Sequence, residues 1–535
     1  MVLTRIPFRN TGYFSSLICD LIDAHPALDE FISRPVELDQ FKAQMVEKRQ
    51  HYSLAHRKRL VKVVQQQYKS LPNTTAVEAQ LSHLKKDSTF TVTTGHQLNL
   101  FTGPLYFFYK IVSTINLCKQ LKEAYPENDF VPVYWMATED HDFEEISFFH
   151  FQGKKIQWNT TSHGPVGRLS LETLTPLLDL FEQSLGESGR AHEIKTLIHA
   201  TYRTSATLAE ATRKLVHHFF ADEGLVILDA DNPILKQSFA TQIKNDLSHH
   251  HCKESVATTI QSILEKYSSD YTPQVNPREI NLFYMKDDLR ERIVKTDQGY
   301  STTDSGTDFT KESLWKEVEE HPERFSPNVL LRPLYQETLL PNLCYIGGGG
   351  ELAYWLQLKQ FFKREGVPFP LLLLRNSAVL VPQKTAGKIE RLQLEKDEMF
   401  LDRTALINKK IRQISNIDLD LQFLKDRLAE QFDYLHDIVV QTDPSFEGTV
   451  NAQRQKQFNG IDALEKRLLN AQKKKLVDHV QRLTLLHEQL FPNNSLQERH
   501  ANFFSFYLEY GQELLPLLMK QLDPLQLEFC WIELP

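Results

Sequence analysis

The stretch that decides the fold runs from Thr89-Phe-Thr-Val-Thr-Thr94 to Phe130-Val-Pro-Val-Tyr-Trp-Met136. Both end segments are short and rich in β-branched or aromatic residues, a composition typical of strands. Between them, Gly95 to Pro104 interrupts the pattern, and residues 105–121 carry apolar side chains at helical spacing. A strand, a helix and a second strand in this order predict the βαβ unit of a doubly wound parallel sheet.

Two further segments extend this predicted sheet. Gly224-Leu-Val-Ile-Leu-Asp229 and Pro370-Leu-Leu-Leu-Leu-Arg375 are short apolar runs that end in polar residues, as buried parallel strands do. We therefore predict an α/β fold with a Rossmann-like core over residues 1–380. Long mixed stretches at about 150–220 and 250–330 separate the strands, and we interpret them as insertions.

The composition changes after the last predicted strand. From residue 384 to 490 glycine is scarce, and Lys, Glu, Gln, Asp and Leu dominate. Apolar residues recur there in a heptad-like pattern that is broken by one register shift. They are Ile461, Leu464, Leu468, Ala471, Leu476, Val480 and Leu483. A turn-rich break at 442–448 divides the region, so we predict a long antiparallel hairpin that forms a coiled-coil arm; a compact helical lid is the alternative.

The last part of the chain, residues 494–535, is aromatic and apolar again, with Phe503, Phe504 and Tyr507 close together. Side chains of this kind gain stability when they leave water. An exposed patch of this size would be unusual on a globular surface. We therefore expect the segment to pack back on the core.

Composition bounds the class of protein. With 535 residues the chain exceeds what one hydrophobic core usually organises, so more than one structural unit is expected. A net charge of −8 argues against a nucleic-acid partner, which usually requires a basic excess. No uncharged apolar run reaches about 18 residues, so we expect no membrane partner. The start of the chain also lacks the pattern of a secretory signal, and we expect a cytoplasmic protein.

The cysteines are spread along the chain and form no C-x-x-C pair. They are Cys19, Cys118, Cys252, Cys344 and Cys530. This usage favours reduced thiols over a disulfide framework or a thiolate metal site, and we expect no zinc.

Candidate site residues are found in the loops that leave the strands, because ligands of an open parallel sheet bind beyond its carboxyl ends. The first loop contains Gly95, His96, Gln97, Thr102 and Gly103. Its glycines let backbone amides approach a ligand, and the start of the following helix favours phosphate or carboxylate. His96 is a candidate for stabilising charge on a transferred phosphoryl group. The alternative is that His96 and Gln97 only satisfy backbone groups of a tight turn.

The second loop follows the second predicted strand directly and is strongly ionisable. Glu139, Asp140, His141 and Asp142 are adjacent, and such a run is costly to desolvate unless it binds a ligand or its own members. We take all four as catalytic candidates that bind a ribose hydroxyl, an ammonium group or hydrated Mg²⁺. Their adjacency does not match a common spacing of zinc ligands.

The third candidate loop is a run of four glycines before an amphipathic helix. Glycine permits close backbone contact with a flat or anionic ligand, although a sharp turn explains such a run equally well. Glu351 and Tyr354 follow the run, and Arg332 and Gln336 precede it. Arg332 is able to hold a carboxylate through two hydrogen bonds, and a structural ion pair is the alternative. The glycines are Gly347, Gly348, Gly349 and Gly350.

Three motifs together resemble one known family. They are Thr94-Gly-His-Gln97, Trp135-Met-Ala-Thr-Glu-Asp-His-Asp142 and Ile346-Gly-Gly-Gly-Gly-Glu-Leu-Ala-Tyr-Trp355. In this order, and over nearly the whole chain, the sequence resembles the ligases that add cysteine in bacillithiol biosynthesis. The resemblance implies a Rossmann-like core related to class I aminoacyl-tRNA synthetases, and a coiled coil that pairs two subunits into a homodimer.

The resemblance also implies a reaction and its substrates. In that family the carboxyl group of L-cysteine is joined to the amine of glucosaminyl-malate in the last step of bacillithiol biosynthesis. The synthetase analogy adds ATP, which would activate the carboxylate, with Mg²⁺ accompanying the nucleotide. By the same analogy, His96 would steady the phosphates, and Glu139 or Asp140 would bind ribose or ammonium. His141 would act as general base toward the amine, which must lose a proton to react.

The sequence departs from the synthetase pattern in two respects. It has no Lys-Met-Ser-Lys-Ser loop, for which Arg375-Asn-Ser377 is the nearest polar element, and no cysteine cluster to hold zinc against a substrate thiol. An adenylate and an acyl phosphate therefore both stay open as the activated form. Two other functions also stay open: a nucleotidyltransferase or hydrolase acting on another small anionic substrate, and a non-catalytic assembly factor that senses a nucleotide.

Overall fold

A five-stranded parallel sheet organises the computed structural model, which describes residues 2–72, 74–268 and 270–535. In chain order its strands are β1 (Thr89–His96), β2 (Asp129–Met136), β3 (Val226–Asp229), β4 (Asn342–Gly347) and β5 (Leu371–Leu374). Their spatial order is β5-β4-β1-β2-β3, and every neighbouring pair is parallel. The chain first adds β2 and β3 on one side of β1 and later adds β4 and β5 on the other side. This reversal of direction places a switch point between β1 and β4.

Four of these strands confirm the predicted apolar segments within a few residues at each end. β4 was not predicted as a strand, since its sequence stood out only as an apolar segment before the glycines. β1 is buried along its whole length, as expected for the central strand of a sheet covered on both faces.

Three helices position the loops at the carboxyl edge of the sheet. They are α1 (Tyr106–Ala124), α2 (Arg332–Leu339) and α3 (Gly349–Trp355). α1 connects β1 to β2 and confirms the helix predicted at 105–121. α2 leads into β4, and α3 begins directly behind it. The site candidates are therefore held by regular elements that pack on a buried sheet.

The regions interpreted as insertions form their own elements. A hairpin of Phe148–Phe151 and Lys154–Gln157 lies in the first region. The second region contributes a largely separate antiparallel sheet. Its strands are Leu282–Lys286, Leu289–Thr296, Gly299–Thr302, Asp308–Phe309 and Phe325–Pro327.

Further helices surround the sheets. Their bounds are Phe8–Thr11, Ser16–Ile22, Gln40–His51, Leu54–Gln67, Thr75–His83, Phe143–Ile146, Thr175–Ser184, Gly189–Ile198, Leu208–Phe220, Pro233–Lys236, Ala240–His249, His251–Lys266, Lys311–Glu320, Lys359–Glu365, Gln383–Arg391, Arg403–Ile414, Gln497–His500, Phe503–Tyr510 and Leu514–Gln521. In the described part of the chain, no helix is both long enough and apolar enough to cross a membrane.

The helical arm is built from α4 (Gln422–Gln441), α5 (Glu447–Lys475) and α6 (Val477–Leu490). Two side-chain contacts join α4 and α5: His436 lies against Glu447, and Asp433, earlier on α4, pairs with Arg454, later on α5. The two helices are therefore antiparallel, as the predicted hairpin requires. Leu476, with φ −103° and ψ 33°, separates α5 from α6 at the register shift of the apolar pattern.

The end of the chain returns to the beginning. The strand Glu528–Glu533 pairs antiparallel with Val2–Pro7 and parallel with Ala378–Val381. The ring of Phe503 stacks on that of Phe108 in α1, with centroids 3.6 Å apart. These contacts bring residues near 500 close to the carboxyl edge of the central sheet.

Candidate active site

The three candidate loops meet at one cavity of about 910 Å³. His96 and Gln97 come from the end of β1, Glu139 to His141 from the loop after β2, and Gly348 to Glu351 from the loop after β4. The remaining walls come from the second insertion, from the loop after β5 and from the C-terminal segment. A concave site of this size at a switch point is suited to small molecules.

His96 lies in the cavity wall as a buried, uncharged ring. It is only 9% exposed, and its imidazole packs against the rings of Tyr106 and Phe107. Burial, together with the charges of Lys110 and Arg375, lowers the pKa of His96 well below its usual value. Its Nε2 has no hydrogen-bond partner among the described residues. At neutral pH His96 can therefore offer a ligand one hydrogen bond, but no positive charge.

Lys110 and Glu351 join the first and third loops. The Lys110 Nζ atom lies 2.6 Å from the Glu351 Oε2 atom and donates to the Gly95 carbonyl at 2.7 Å. Glu351 also accepts from the Tyr345 hydroxyl at 2.9 Å and from the Gly348 amide at 2.7 Å. Burial alone would raise the pKa of Glu351, but Lys110 and these donors outweigh it and lower the pKa. A lysine on a helix is ordinarily exposed, whereas the structure buries Lys110.

Gln97 joins the first loop to the second. Its amide donates to the Asp140 Oδ2 atom at 2.9 Å. Burial opposes ionisation of Asp140, but hydrogen bonds from His141 and Gln97 and the charge of Arg290 outweigh burial and hold its pKa below the usual range. Asp140 is therefore a carboxylate at neutral pH. It is the one member of the acidic run that combines a charge with a direct link to the histidine loop.

Glu139 and His141 each have a partner in the cavity wall. The Glu139 Oε2 atom lies 2.5 Å from the Nζ atom of the fully buried Lys236. The His141 Nδ1 atom accepts a hydrogen bond from the Arg290 Nη1 atom at 2.5 Å. With Nδ1 engaged as an acceptor, the proton of a neutral His141 ring lies on Nε2. His141 can take up a proton at Nδ1 only after Arg290 moves away.

Cations outnumber acids in the cavity wall, although the chain as a whole is acidic. The basic lining residues are Lys110, Arg278, Arg290, Arg292, Arg332, Arg375 and Arg499, and the acidic ones are Glu139, Asp140 and Glu351. Lys110 pairs with Glu351, and Arg375 pairs with Glu498. Within the described ranges, none of the other five has a carboxylate oxygen within 4.0 Å of its guanidinium nitrogens. Such a surface attracts anionic ligands.

Arg332 and Tyr354 lie in the cavity wall, as the sequence predicts. The Arg332 guanidinium lies 5.7 Å from the centre of the Tyr345 ring and donates to the Gln336 Oε1 atom at 3.0 Å. Because Arg332 has no carboxylate partner in the described part of the chain, the structural ion pair considered as the alternative is not formed. Its guanidinium is available to a ligand.

Gln336 and Gly347 do not line the cavity, contrary to the prediction. Gln336 is fully buried behind Arg332, and its amide donates to the Glu337 Oε1 atom at 2.9 Å. Glu337 in turn forms a buried ion pair with Lys48. Gly347 is the last residue of β4 and accepts the Arg375 amide through its carbonyl. Both residues support the wall from behind.

Thr102 and Gly103 also lie outside the cavity. Both have positive φ, 67° and 63°, in a turn where a Cβ on Gly103 would approach the Asn99 Cβ to 2.5 Å. The Asn502 amide holds this turn by donating to the Gly103 carbonyl at 2.7 Å. The glycine thus serves a tight turn and not a ligand, because the positive φ and the crowding both require the absence of a side chain.

Asp142 is the residue of the ionisable run 139–142 that does not line the cavity. It is exposed, and its carboxylate accepts from the Glu145 amide at 3.2 Å as the cap of the helix Phe143–Ile146. Asp residues are favoured at this position because they satisfy a free backbone N–H. Asp142 therefore caps a helix and does not line the cavity, and its catalytic role stays a prediction.

Several lining residues were not singled out as candidates in the sequence. Arg290 and Arg292 lie on a strand of the second insertion, and Arg499 lies in the C-terminal segment. Charged residues on an antiparallel hairpin read as ordinary solvent-facing positions, so no local signal marks them. Arg278 also lines the cavity, and here the sequence does carry a signal. The preceding Pro277 restricts the backbone and so limits the directions in which the Arg278 side chain can point.

Metal ligands are not clustered in the described ranges. There, no group of three or more His, Cys, Asp or Glu side chains is arranged to hold a metal ion. All five cysteines are buried and free of disulfides.

Comparison with known proteins assigns the family. Residues 1–376 match the family described as "Bacillithiol biosynthesis BshC, N-terminal Rossmann-like domain", and residues 378–534 match its C-terminal coiled-coil domain. The chain belongs to the BshC family. Membership accounts for the Rossmann-like sheet and for the coiled-coil region, and it places the chain among ligases of bacillithiol biosynthesis.

Two BshC relatives align over almost their whole length. Proteins named "Putative cysteine ligase BshC" from Christiangramia forsetii and Flavobacterium johnsoniae are 49% and 48% identical to the chain, and each alignment covers 98% of both partners. A solved structure from Campylobacter jejuni, titled as a putative arginyl tRNA synthetase, aligns over 84% of this chain and 96% of that one at 11% identity. Its TM-score of 0.20 is too low to carry an argument.

Proposed function

We propose that this BshC protein joins the carboxyl group of L-cysteine to the amine of glucosaminyl-malate, with ATP activating the carboxylate. The observation that carries the proposal is the cavity, where unpaired arginines and an uncharged buried histidine surround about 910 Å³. The names of the relatives supply cysteine as a substrate of those proteins. The finer assignment rests on how well the cavity fits the other two substrates.

The charge of the cavity fits two anionic substrates. Glucosaminyl-malate carries the carboxylates of malate, and ATP carries phosphates, so both require cations that are not already neutralised. Arg278, Arg290 and Arg292 come from the region of the second insertion, whereas Arg332 lies at the start of α2, which leads into the central sheet. Unpaired cations from two different parts of the chain line one cavity, which supports binding of two anions. Mg²⁺ would accompany the nucleotide, and the ionised Asp140 is able to meet its water shell.

The chemical step needs an unprotonated amine. The amine nitrogen attacks the activated cysteine carbonyl, a C–N bond forms, and the bond to the phosphate oxygen breaks; the nitrogen then loses a proton to a base. We assign the base to His141, because it lies in the cavity wall beside the ionised Asp140. Arg290 occupies its Nδ1 atom in this conformation. A substrate carboxylate that draws Arg290 toward itself would free that nitrogen as the substrate binds.

The helical arm supplies an apolar surface for a second copy of the chain. On α4, Leu424, Leu435 and Ile438 are 38%, 42% and 43% exposed. These residues lie on one side of the helix, because Leu435 is about three turns beyond Leu424 and Ile438 is about one turn beyond Leu435. Exposed leucine and isoleucine on a helix of the coiled-coil arm support the homodimer through that arm. The five buried, free thiols support a reducing, cytoplasmic setting.

Turnover by the purified protein tests the proposed function. The protein is incubated with L-cysteine, glucosaminyl-malate and Mg-ATP, and the amide product is measured by mass spectrometry. Exchange of labelled pyrophosphate into ATP on addition of cysteine indicates an adenylate, whereas release of ADP indicates an acyl phosphate. Product formation without a nucleotide would remove ATP from the proposal. Absence of product under all conditions, with hydrolysis or transfer on another anion instead, would overturn the ligase assignment.

A further inference from the structure

Arg375 is a buried arginine that the C-terminal segment holds in place. It follows β5 directly, is 4% exposed and lines the cavity. Its Nη1 atom donates to the Asn376 carbonyl at 2.9 Å and to the Ser377 hydroxyl at 3.0 Å. Its Nη2 atom donates to the Glu498 Oε1 atom at 2.7 Å. Three hydrogen bonds thus fix the plane of the guanidinium, which also lies 4.7 Å from the centre of the Tyr106 ring.

One donor of this fixed guanidinium has no partner. The Arg375 Nε atom is buried and makes no hydrogen bond in the described part of the chain, and the same holds for the His96 Nε2 atom. Both residues line the same cavity and both approach the Tyr106 ring. A buried polar group, above all one of a cation, is normally paired. Two unpaired nitrogens in the wall of one cavity point to an acceptor that the described part of the chain does not itself supply.

Glu498 itself does not reach the cavity. It is fully buried, and while Oε1 binds Arg375, Oε2 accepts from the Ala378 amide at 2.9 Å. Gln497 beside it pairs with both backbone groups of Leu380, at 2.9 Å and 3.0 Å. The next residue, Arg499, lines the cavity. The segment 497–499 therefore connects the C-terminal part of the chain to the ligand-facing wall through one carboxylate.

We infer that Glu498 is a positioning residue, which orients Arg375 so that Nε, together with His96 Nε2, binds an anionic oxygen of a substrate. The neutral His96 ring can carry its proton on Nε2, so both atoms are donors. The anionic oxygen belongs to a carboxylate or to a phosphate, and both accept such hydrogen bonds. As regards the reaction, this inference rests on the proposed function. It adds that the C-terminal domain completes a site built mainly by the Rossmann-like domain.

Glu498→Gln is the variant that tests this arrangement. It keeps the size of the side chain, but it replaces one carboxylate oxygen by an NH2 group. The remaining oxygen cannot accept from both the Arg375 guanidinium and the Ala378 backbone amide. Glu498→Asp keeps the charge and serves as the conservative rescue. The matched control is Glu488→Gln, because Glu488 forms a surface ion pair with Arg403. Isothermal titration calorimetry with ATP and with malate as separate probes, and KM for each substrate, are measured for all variants.

We expect Glu498→Gln to weaken binding or raise KM at least tenfold for one of the three ligands (ATP, malate or cysteine) while the other two change less than twofold. Loss confined to ATP identifies a phosphate, and loss confined to malate identifies a carboxylate of the acceptor. Loss confined to the KM of cysteine identifies the cysteine carboxylate. Glu498→Asp should recover part of the affinity, and Arg375→Lys should reproduce the defect without adding to it in the double variant.

Three outcomes would overturn the inference. They are an equal loss for every ligand, no loss for any ligand, or additive effects of Glu498→Gln and Arg375→Lys. If Glu498→Gln does not fold, Arg375→Lys and His96→Ala carry the same test, because both leave the buried carboxylate in place. If the wild-type protein binds the probes but forms no amide product, the proposed function is refuted, whereas the role of Glu498 can still be tested by binding.

Discussion

The Lys110 ammonium and the Glu351 carboxylate, 2.6 Å apart, connect α1 to the start of α3 across the switch point of the sheet. This pair fixes the distance between the histidine loop and the glycine loop. Lys110 is buried, Glu351 is partly exposed, and both line the cavity. Removing either charge leaves the other in a poorly solvated place.

Lys110→Met therefore destabilises the protein and impairs the site. We expect a loss of about 2–4 kcal/mol in the free energy of unfolding, below the full effect of a buried pair because Glu351 is partly exposed. Urea denaturation followed by circular dichroism measures it. Lys119→Met is the control, since Lys119 pairs with Glu223 on the surface, where about 0–1 kcal/mol is expected. Equal effects of the two substitutions would contradict the role given to Lys110.

Asp229, at the end of β3, links stability to pH. Burial raises its pKa to about 6, above the ordinary value of 3.8. The folded protein thus binds this proton more tightly than the unfolded chain. The associated stabilisation is complete below pH of about 4 and is lost as pH rises through about 6. We expect Asp229→Asn to remove about 2 kcal/mol of that decline, measured as unfolding free energy at pH 4 and pH 7.

Asp246 gives the control for this measurement. Its pKa is also raised to about 6 by burial, but it lies beside Asn281 and away from β3. Asp246→Asn should reduce the same decline independently, and the two effects should add. A decline that persists unchanged in the Asp229 variant would show that this carboxyl does not titrate in the stated range.

His141→Ala tests the base. General-base assistance contributes about 10²–10⁴-fold, so we expect kcat to fall by at least about 100-fold. The side chain is 45% exposed, and the melting temperature should therefore change little. Arg290→Gln is the companion variant: it frees the Nδ1 atom but weakens anion binding, so KM for the anionic substrate should rise. Full turnover by His141→Ala would remove this residue from the mechanism.

Leu435→Glu and Ile438→Glu test the subunit interface. Each places a charge on the exposed stripe of α4, where a second helix would have to desolvate it. We expect a monomer by light scattering at concentrations where the wild type is a dimer. Val440→Glu is the control, because Val440 is 62% exposed but lies on a different side of α4. A dimer that persists in both stripe variants would exclude this surface.

How much of the structure could be predicted from the sequence depends on whether the interacting residues are close together or far apart in the chain. The strands β1, β2, β3 and β5 are short apolar segments with polar ends, so local composition locates them. The loops behind β1, β2 and β4 follow from the rule that parallel sheets bind ligands at their carboxyl edge. Local patterns fail where a residue has two uses: Gly103 and Asp142 look like ligand contacts but serve a turn and a helix cap.

The cavity walls beyond the sheet were out of reach for a different reason. Arg290 and Arg499 approach the site only through tertiary packing of an insertion and of the C-terminal segment. The burial of Lys110 likewise depends on Glu351, which lies far along the chain. The sequence next to these residues does not indicate such long-range contacts. The division of the chain at residues 380, 384 and 494 stays a prediction.

The position of β1 in the sheet has a consequence for how the molecule is made. β1 meets β2 soon after synthesis, but its bond from the Thr94 hydroxyl to the Ile346 carbonyl spans 252 residues. Contacts of such separation slow folding and prolong the lifetime of half-assembled states with exposed strand edges. The nascent chain must therefore wait with one flank of its central strand unpaired, and overproduction at low temperature or with chaperones should raise the yield of native enzyme.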